Sequence, residues 1–342
     1  MSDADLSLRI EHAIGETSEL VVPTPVAVDD QQPTLASIRT ERALDRIARA
    51  EATVFRDEWL AIEEDLDRRD DEFYIEDADG TDIFGGRFDD DQIRGATVSV
   101  LIVSFERDAR DVPPEPSFSR ADSSDQTIAT DLIDLMPAPL SIGIVEETTA
   151  ALDFDDEQAT PGEMLRDLAS TTGADVRFRA DGTVDYLAER GDDCGETLSP
   201  QSGALIGDPR IRESGRASPT AVRVVSDSDA QTFADSDVTT GEREVVLVDE
   251  LDSTSESRLQ TRADSLADEI AGGDRYLEID VGVDPEAVIE TPSVGDRCPV
   301  RLPAAGIDTT LRVIERDRVI DADGDRLDRV LFANRLETLQ GR

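Results

Sequence analysis

Residues 160–187, TPGEMLRDLASTTGADVRFRADGTVDYL, limit the possible folds of this chain more sharply than its other segments do. Thr160 followed three residues later by Glu163 predicts a helix that starts with a capping box, and Gly173 predicts a left-handed cap at its end. The alternating residues beyond it surround Asp181-Gly182, a pair typical of a hairpin turn. This stretch therefore predicts a small, locally specified α/β unit, and nothing in it is typical of a catalytic motif.

Short runs of alternating apolar and polar residues lie on both sides of this unit and predict β-strands. The runs before it are LSLRI (6–10), AEATVFR (50–56), EFYIE (72–76), TDIFGGRF (81–88) and ATVSVLIVSF (96–105). The runs after it are PTAVRVVSDS (219–228), EREVVLVD (242–249), YLEIDVGVD (276–284), TTLRVIERDRVID (309–321) and RLDRVLFA (326–333). Short strands with Asp-Gly turns favour small barrels. We predict an α+β, β-rich fold: two small antiparallel β-barrel domains with an intervening small α/β unit.

Composition shifts along the chain place the domain boundaries. A Pro- and Ser-rich stretch at 111–124 precedes a helical pattern at 126–136. A second amphipathic helix is predicted at 257–271, where Leu259 and Leu266 share an apolar face, and we expect it to pack on its own barrel. The predicted organisation is an N-terminal segment at 1–34, a first β-barrel domain at 35–110, a linker at 111–124, a small α/β domain at 125–200 and a second β-barrel domain at 201–342 with helix 257–271 inserted.

The charge of the chain indicates its surroundings. Asp and Glu number 79 against 34 basic residues, all of them Arg, which gives a net charge of -45. The acids are spread between apolar residues and so predict a solvated surface suited to concentrated salt, where repulsion is screened. So acidic a surface argues against stable nucleic-acid binding. No apolar run approaches the ~20 residues of a membrane span, and the acidic N-terminus predicts no export signal.

No catalytic, cofactor-binding or metal-binding residue is predicted. His12 is the only histidine, and no hydrolase or zinc motif lies near it, so we expect a surface residue. The run Asp321, Asp323 and Asp325 resembles a calcium loop, but its glycine stands at the fourth position and the twelfth lacks glutamate. We expect a hairpin turn at that place instead.

Two further sets of residues stay open at this stage. Cys194 and Cys298 are far apart in the sequence, and pairing between them is not favoured. Arg210, Arg212 and Arg216 are interpreted either as a salt-bridge strip between subunits or as ordinary surface residues, since surface arginine needs acidic partners in this chain.

Six segments between residues 35 and 338 form an ordered set. They are FYIEDADGTDIFGGRF, TPGEMLRDLASTTGADVRFRADGTVDYL, ASPTAVRVVSD, SRLQTRADSLADEI, TPSVGDRCPVRL and IERDRVIDADGDRLDRVLFA. In this order and spacing they resemble the motifs of the baseplate hub proteins of tailed viruses, the group that includes the late control protein D family. The chain departs from the family pattern at Thr220, where Asn is usual, and at Ser226, where Gly is usual.

The resemblance implies a homotrimer in which each subunit contributes two similar barrels to a sixfold ring. Such a ring is an adaptor between a distal tail or tube protein above and a tip fibre or spike protein below. It lines the DNA-ejection channel, which could also hold a tape-measure protein. The resemblance implies a structural virion protein of the tail tip, assembled in the host cytoplasm and not an enzyme. With the charge, it predicts a virus or provirus of a halophilic archaeon.

Two alternatives stay open. Some long-tailed phages carry a hub-like protein that is extended by a peptidase or glycosidase, which would make this chain a tail hydrolase. The hub pattern runs to within a few residues of Arg342, so we do not expect such an enzyme after it. A halophilic cytosolic binding protein is the other alternative, and it would lack the trimer.

Overall fold

The structure, a computed structural model, describes most of the chain. It covers residues 7–11, 17–21, 35–44, 46–63, 66–76, 81–114, 117–156, 158–213, 220–226, 232–237, 246–251, 255–271, 277–284, 288, 292–321 and 326–333.

Twenty strands and five α-helices are present in these residues. The strands are β1 (Ser7–Glu11), β2 (Thr17–Val21), β3 (Leu35–Ala43), β4 (Arg49–Phe55), β5 (Glu72–Glu76), β6 (Asp82–Arg94), β7 (Thr97–Ser104), β8 (Phe118–Ser123), β9 (Ser141–Val145), β10 (Leu152–Asp156), β11 (Asp175–Phe178), β12 (Thr183–Leu187), β13 (Leu205–Glu213), β14 (Ala221–Ser226), β15 (Phe233–Asp237), β16 (Val246–Leu251), β17 (Leu277–Val283), β18 (Arg297–Leu302), β19 (Ile307–Asp321) and β20 (Arg326–Ala333). The helices are α1 (Arg56–Glu63), α2 (Glu106–Asp111), α3 (Asp125–Asp134), α4 (Pro161–Thr172) and α5 (Glu256–Ala271).

A long antiparallel sheet connects the two β regions. Its order is β13-β17-β20-β19-β3-β4-β7-β6-β5-β1-β2, and β18 also pairs with β19. The α+β, β-rich class is confirmed. The sequence predicted two separate β-barrel domains. In the structure the two β regions are joined, because β3 of the first pairs with β19 of the second. The predicted N-terminal segment also contributes to this sheet, because β1 pairs with β5.

Opposite charges support the pairing that joins the two β regions. Arg39 on β3 donates two hydrogen bonds to Asp317 on β19, from Nε at 2.9 Å and from Nη2 at 2.7 Å. Arg46, just after β3, pairs with Glu315 on β19. Cross-strand ion pairs of this kind favour one register over its neighbours.

The sheet is continuous, but its two halves bury separate cores. Apolar residues of β1, β3 to β7 and helix α1 form the first core, in which Trp59 and Phe73 are fully buried. Apolar residues of β13 and β17 to β20 form the second, around Ile279 and Phe332. Each half therefore buries its own alternating face, which is the pattern that the sequence shows.

The middle of the chain forms the predicted α/β unit. In α4 the Thr160 side chain accepts from the Glu163 N–H, Glu163 accepts from the Thr160 N–H at 2.9 Å, and Gly173 ends the helix with φ 77°. Helices α3 and α4 pack on the sheet β11-β12-β9 over a third core. The predicted linker at 111–124 is not wholly irregular. It begins with the last residue of α2 and contains β8, which pairs with β10 of this unit.

A second small unit interrupts the later β region. Strands β15, β14 and β16 form their own sheet, with β14 and β16 parallel. Helix α5 covers one face of it, through Leu259, Ala263 and Leu266. Helix α5 and β14 therefore bury their apolar faces against each other in a unit of their own, where the sequence predicted that α5 packs on the second barrel.

Cys194 and Cys298 form a disulfide, which the sequence did not favour, with their Cα atoms 4.8 Å apart. The segment around Cys194 runs beside β18, because the Cys194 N–H donates to the Arg297 carbonyl at 2.8 Å and Leu198 to Pro299 at 2.8 Å. This pairing brings together two residues 104 positions apart, a contact that no local pattern reports.

None of the described helices combines the length and the apolar character that crossing a membrane requires.

Candidate assembly surfaces and buried ion networks

The residues that the sequence singled out do not converge on one site. His12, Asp323, Asp325 and Arg216 lie outside the described residues, and Asp321 is the last residue of β19. The flanking strands β19 and β20 do form an antiparallel hairpin. Within the described ranges, no group of three or more His, Cys, Asp or Glu side chains is arranged to hold a metal ion.

The other predicted arginines lie on β13, at one end of the long sheet. Arg212 pairs with Glu278 of the neighbouring strand, with Nη1 and Oε2 3.6 Å apart. Arg210 lies opposite Asp280 in the register of β13 and β17. Arg212 therefore has an acidic partner within its own chain, and the strip between subunits stays a prediction.

Asp125, at the start of α3, organises the centre of the α/β unit. It is fully buried, and its carboxylate accepts the N–H groups of Gln126, Thr148 and Thr149 at 2.9–3.1 Å. The Tyr186 hydroxyl donates to it at 3.0 Å. Burial and the Asp125 charge raise the pKa of Tyr186, so this hydroxyl stays protonated and remains a donor. The network ties α3, β12 and the loop after β9 together, which is a structural role.

Arg166 links α4 to the first β region. Its Nε and Nη2 atoms donate to the two carboxylate oxygens of buried Glu106, at 3.0 and 2.7 Å, and its Nη1 donates to the Leu44 carbonyl at 2.9 Å. Arg110 donates to the same Glu106 at 2.7 Å. A planar guanidinium can make such a forked contact and an ammonium cannot, so this junction uses a property particular to arginine.

A second buried carboxylate holds the hairpin of the α/β unit. Asp185 on β12 is fully buried and accepts from Arg177 and Arg179, each through Nε at 2.7 Å, and from the Ile144 N–H at 2.8 Å. Burial alone would raise the pKa of Asp185, but these hydrogen bonds hold it below its usual value. Gly143 makes room for the carboxylate, since a Cβ there would lie 2.3 Å from an Asp185 oxygen.

Strand β9 presents an apolar edge. It is the terminal strand of the sheet β11-β12-β9, and its Ile142 and Ile144 are 43% and 50% exposed. Residues two apart on a strand point to the same side. The two isoleucines therefore make a small continuous apolar surface, which we call the β9 edge.

Strand β16 presents a similar surface, which we call the β16 edge. It is the terminal strand of the sheet β15-β14-β16, and its Val246 and Val248 are exposed. Phe233 on β15 is 48% exposed and lies under the Arg223 guanidinium, 4.4 Å from the ring centroid. Terminal strands offer unpaired backbone groups that can add a strand from another chain. Both edges are therefore candidate assembly surfaces. The sequence alone could not identify them, because exposed Ile and Val residues on a strand look the same in a sequence as buried ones.

Solved structures of tail proteins share this fold. The prophage MuSo2 43 kDa tail protein from Shewanella oneidensis matches with a TM-score of 0.66 and 15% identity, over 96% of this chain and 98% of that chain. The prophage tail protein gp18 from Listeria monocytogenes EGD-e matches with a TM-score of 0.66 and 10% identity, over 98% of this chain and 95% of that chain. At these identities the match shows a common fold.

A more distant match extends to secretion systems. The E. coli c3393 protein, described as a component of the type VI secretion system with structural similarity to T4 bacteriophage tail proteins gp27 and gp5, matches with a TM-score of 0.53 and 9% identity. That match covers 92% of this chain and 77% of that chain. No protein-family model matches the chain, and no curated protein is significantly similar to it in sequence.

Proposed function

We propose that this protein is a structural hub of a viral tail tip. In this role it forms a homotrimer that adapts a tail tube above to a fibre or spike below and lines the channel through which DNA leaves. The observation that carries the proposal is a whole-chain fold match to prophage tail proteins, over 96% of this chain and 98% of the Shewanella protein. Because the match includes both β regions and the units between them, it supports a hub and not merely a shared module.

The described residues favour a structural role over a catalytic one. Three of their five buried carboxylates, Asp125, Glu106 and Asp185, are occupied by hydrogen bonds and ion pairs. A catalytic acid or base needs access to a substrate proton, and these three groups are turned into the protein. An acidic channel wall also suits DNA passage, since it repels phosphate.

The two apolar edges support assembly from several copies. An exposed pair of β-branched residues on a terminal strand favours pairing with another chain. We therefore propose that the β9 edge and the β16 edge contribute to subunit contacts in the trimer, with the tube and tip proteins binding the ring that results.

The trimer leads to a direct prediction. In concentrated salt the purified chain is expected to have a light-scattering mass three times the 37.2 kDa of one chain. Replacing Val246 and Val248 by Asp is expected to lower the trimer fraction, because charge on an edge strand opposes pairing. Ile93→Asp is a matched control, since Ile93 is 58% exposed on β6, which belongs to neither of the sheets that contain the two edges. A monomer in the wild type, with and without added tail-tube and tip proteins, would contradict the trimer.

We further propose a habitat of high salt. The chain has 79 acidic residues, no Lys and a net charge of -45, so its folded form is strained by repulsion that salt screens. The thermal midpoint is expected to fall steeply when KCl is diluted from about 3 M, where the Debye length is below roughly 3 Å, to about 0.1 M, where it is roughly 10 Å.

An uncharged osmolyte gives the control for this experiment. Sucrose stabilises folded proteins without screening charge, so it should restore much less of the midpoint than KCl does. A midpoint that is unchanged or higher at low salt would refute the proposed habitat and leave the tail role untouched.

A further inference from the structure

A small cavity lies where the first β region meets the α/β unit. Its volume is about 30 Å³, which gives room for one or two atoms of the size of a water oxygen. Its charged walls are formed by Arg42, Arg46, Arg166, Arg179, Arg190 and Glu106. A single carboxylate thus faces five guanidinium groups, which is unexpected in a chain with a net charge of -45.

Three of these arginines have acidic partners. Arg166 pairs with Glu106, with Nη2 and Oε2 2.7 Å apart. Arg179 pairs with Asp185, with Nε and Oδ2 2.7 Å apart, and Arg46 pairs with Glu315. The two remaining arginines, Arg42 and Arg190, make no side-chain hydrogen bond or ion pair to any residue in the described ranges. Asp175 lies near enough to Arg190 to offset part of its charge, whereas the charged groups that act on Arg42, Arg318 and Arg177, are themselves positive. The cavity wall therefore carries more positive than negative charge.

Ser104 gives a second and independent sign of a missing ligand. It ends β7, lines the same cavity and is only 7% exposed. Its Oγ atom is buried and has no hydrogen-bond partner among the described residues. Buried hydroxyls are nearly always paired, because an unpaired one costs free energy. A hydroxyl can donate to an anion, and rotation about the Ser104 Cα–Cβ bond would turn its Oγ, which is closed to solvent in this structure, toward the occupant that the two arginines face.

The surroundings of Arg42 and Arg190 disfavour their charged forms. Burial, and to a lesser extent the nearby positive charge of Arg42, lowers the pKa of Arg190 to about 9. Burial, and to a lesser extent the positive charges of Arg318 and Arg177, lowers the pKa of Arg42 to about 10. A negative charge between these groups would relieve both the desolvation and the repulsion.

We propose that this cavity binds one small monovalent anion from solution, such as chloride, held by Arg42, Arg190 and the Ser104 hydroxyl. Charge-assisted hydrogen bonds of this kind are stronger than neutral ones, and Phe84 and Phe178 provide apolar walls. The ion would fasten the first β region to the α/β unit, and the inference does not depend on the proposed tail role.

The backbone around the cavity fixes the positions of the donors. The Arg190 N–H donates to Asp175 Oδ2 at 2.7 Å, and its carbonyl accepts from Arg312 Nη2 at 3.1 Å. Gly85 lets the first β region approach closely, since a Cβ there would lie 2.0 Å from the Ala180 carbonyl oxygen. The arginine and hydroxyl donors therefore sit on a rigid frame, as a preorganised site requires.

The test is a chloride titration of the full chain. Sodium is held at about 2 M, where charges are screened within a few ångströms, and chloride progressively replaces gluconate, a much bulkier anion. The thermal midpoint of the wild type is expected to rise with chloride and then saturate, as binding to a single site predicts. Sulfate, a larger divalent anion, should not show the saturating rise.

Variants assign the effect to this cavity. Ser104→Ala and Arg190→Gln are each expected to raise the half-saturating chloride concentration about tenfold or more, since each removes a hydrogen bond to a charged ligand. Arg329→Gln, which removes an exposed pair with Asp280, should titrate like the wild type. Circular dichroism at saturating salt checks that each variant folds, and Ser104→Ala, which removes a single atom, keeps the test valid if Arg190→Gln does not fold.

A crystallographic readout is independent of stability. Crystals soaked in bromide are expected to show an anomalous peak in contact with Ser104 Oγ and the guanidinium groups of Arg42 and Arg190. The proposal is overturned if the cavity holds no bromide, or if the wild type and both cavity variants respond identically to chloride.

Discussion

Reducing the Cys194–Cys298 disulfide is expected to destabilise the protein more than most single substitutions would. The bond closes a loop between residues 104 positions apart, and a loop of this length corresponds to about 3–5 kcal/mol of stabilisation in the chain-entropy view. The urea midpoint of the wild type should therefore fall on addition of a reductant, and Cys194→Ser should show the lower midpoint with or without it.

Cys194→Ser is also the control, because reductant cannot act on a bond that is absent. The variant keeps Cys298, which is fully buried in the core. No core side chain is therefore removed, and the comparison measures the bond and not the loss of packing. Two free thiols in the unreduced, unfolded wild type would show that the bond does not form in the purified protein.

Asp125→Ala is expected to lower the free energy of unfolding by about 3–5 kcal/mol, because it leaves several buried donors unpaired. The donors that lose their acceptor include the N–H groups of Thr148 and Thr149 and the Tyr186 hydroxyl, at 3.0–3.1 Å from the carboxylate. Tyr186→Phe removes only one of them and should cost about 1 kcal/mol. Both values can be measured from urea unfolding in concentrated salt.

A matched control lies on the same helix. Asp131 of α3 pairs with Arg120, with Oδ2 and Nε 2.7 Å apart, but both side chains are more than a third exposed. Exposed pairs contribute roughly 0–1 kcal/mol, so Asp131→Ala should change stability little. Equal losses in Asp125→Ala and Asp131→Ala would show that the buried network does not carry the stability assigned to it.

All ion pairs between side chains in the described residues use arginine, because the chain contains no lysine. Forked pairs such as Arg166–Glu106 and Arg39–Asp317 join separate parts of the chain. The planar guanidinium fits a carboxylate with two parallel hydrogen bonds and is less strongly hydrated than ammonium. A Lys-free chain with an acidic surface can therefore still fix its internal junctions.

Local features were determined by the sequence alone. The capping box of α4, its left-handed end at Gly173 and the Asp181-Gly182 turn depend on residues within a few positions of one another. Strands with strict alternation, such as β4 and β17, were predicted for the same reason, because a half-buried strand shows its buried side every second residue. Strand β8 escaped prediction because its residues, FSRADS, are mostly polar and exposed.

Only the tertiary structure decided which distant residues meet. The pairing of β3 with β19, the Cys194–Cys298 bond and the cavity that brings Arg42 to Arg190 each join residues more than a hundred positions apart. No local preference encodes such contacts, because their free energy comes from burial and pairing summed over whole strands. For that reason the sequence could predict the β-rich class and the α/β unit, while the continuous sheet, the separate α5 unit and the arginine-lined cavity depended on how those elements pack.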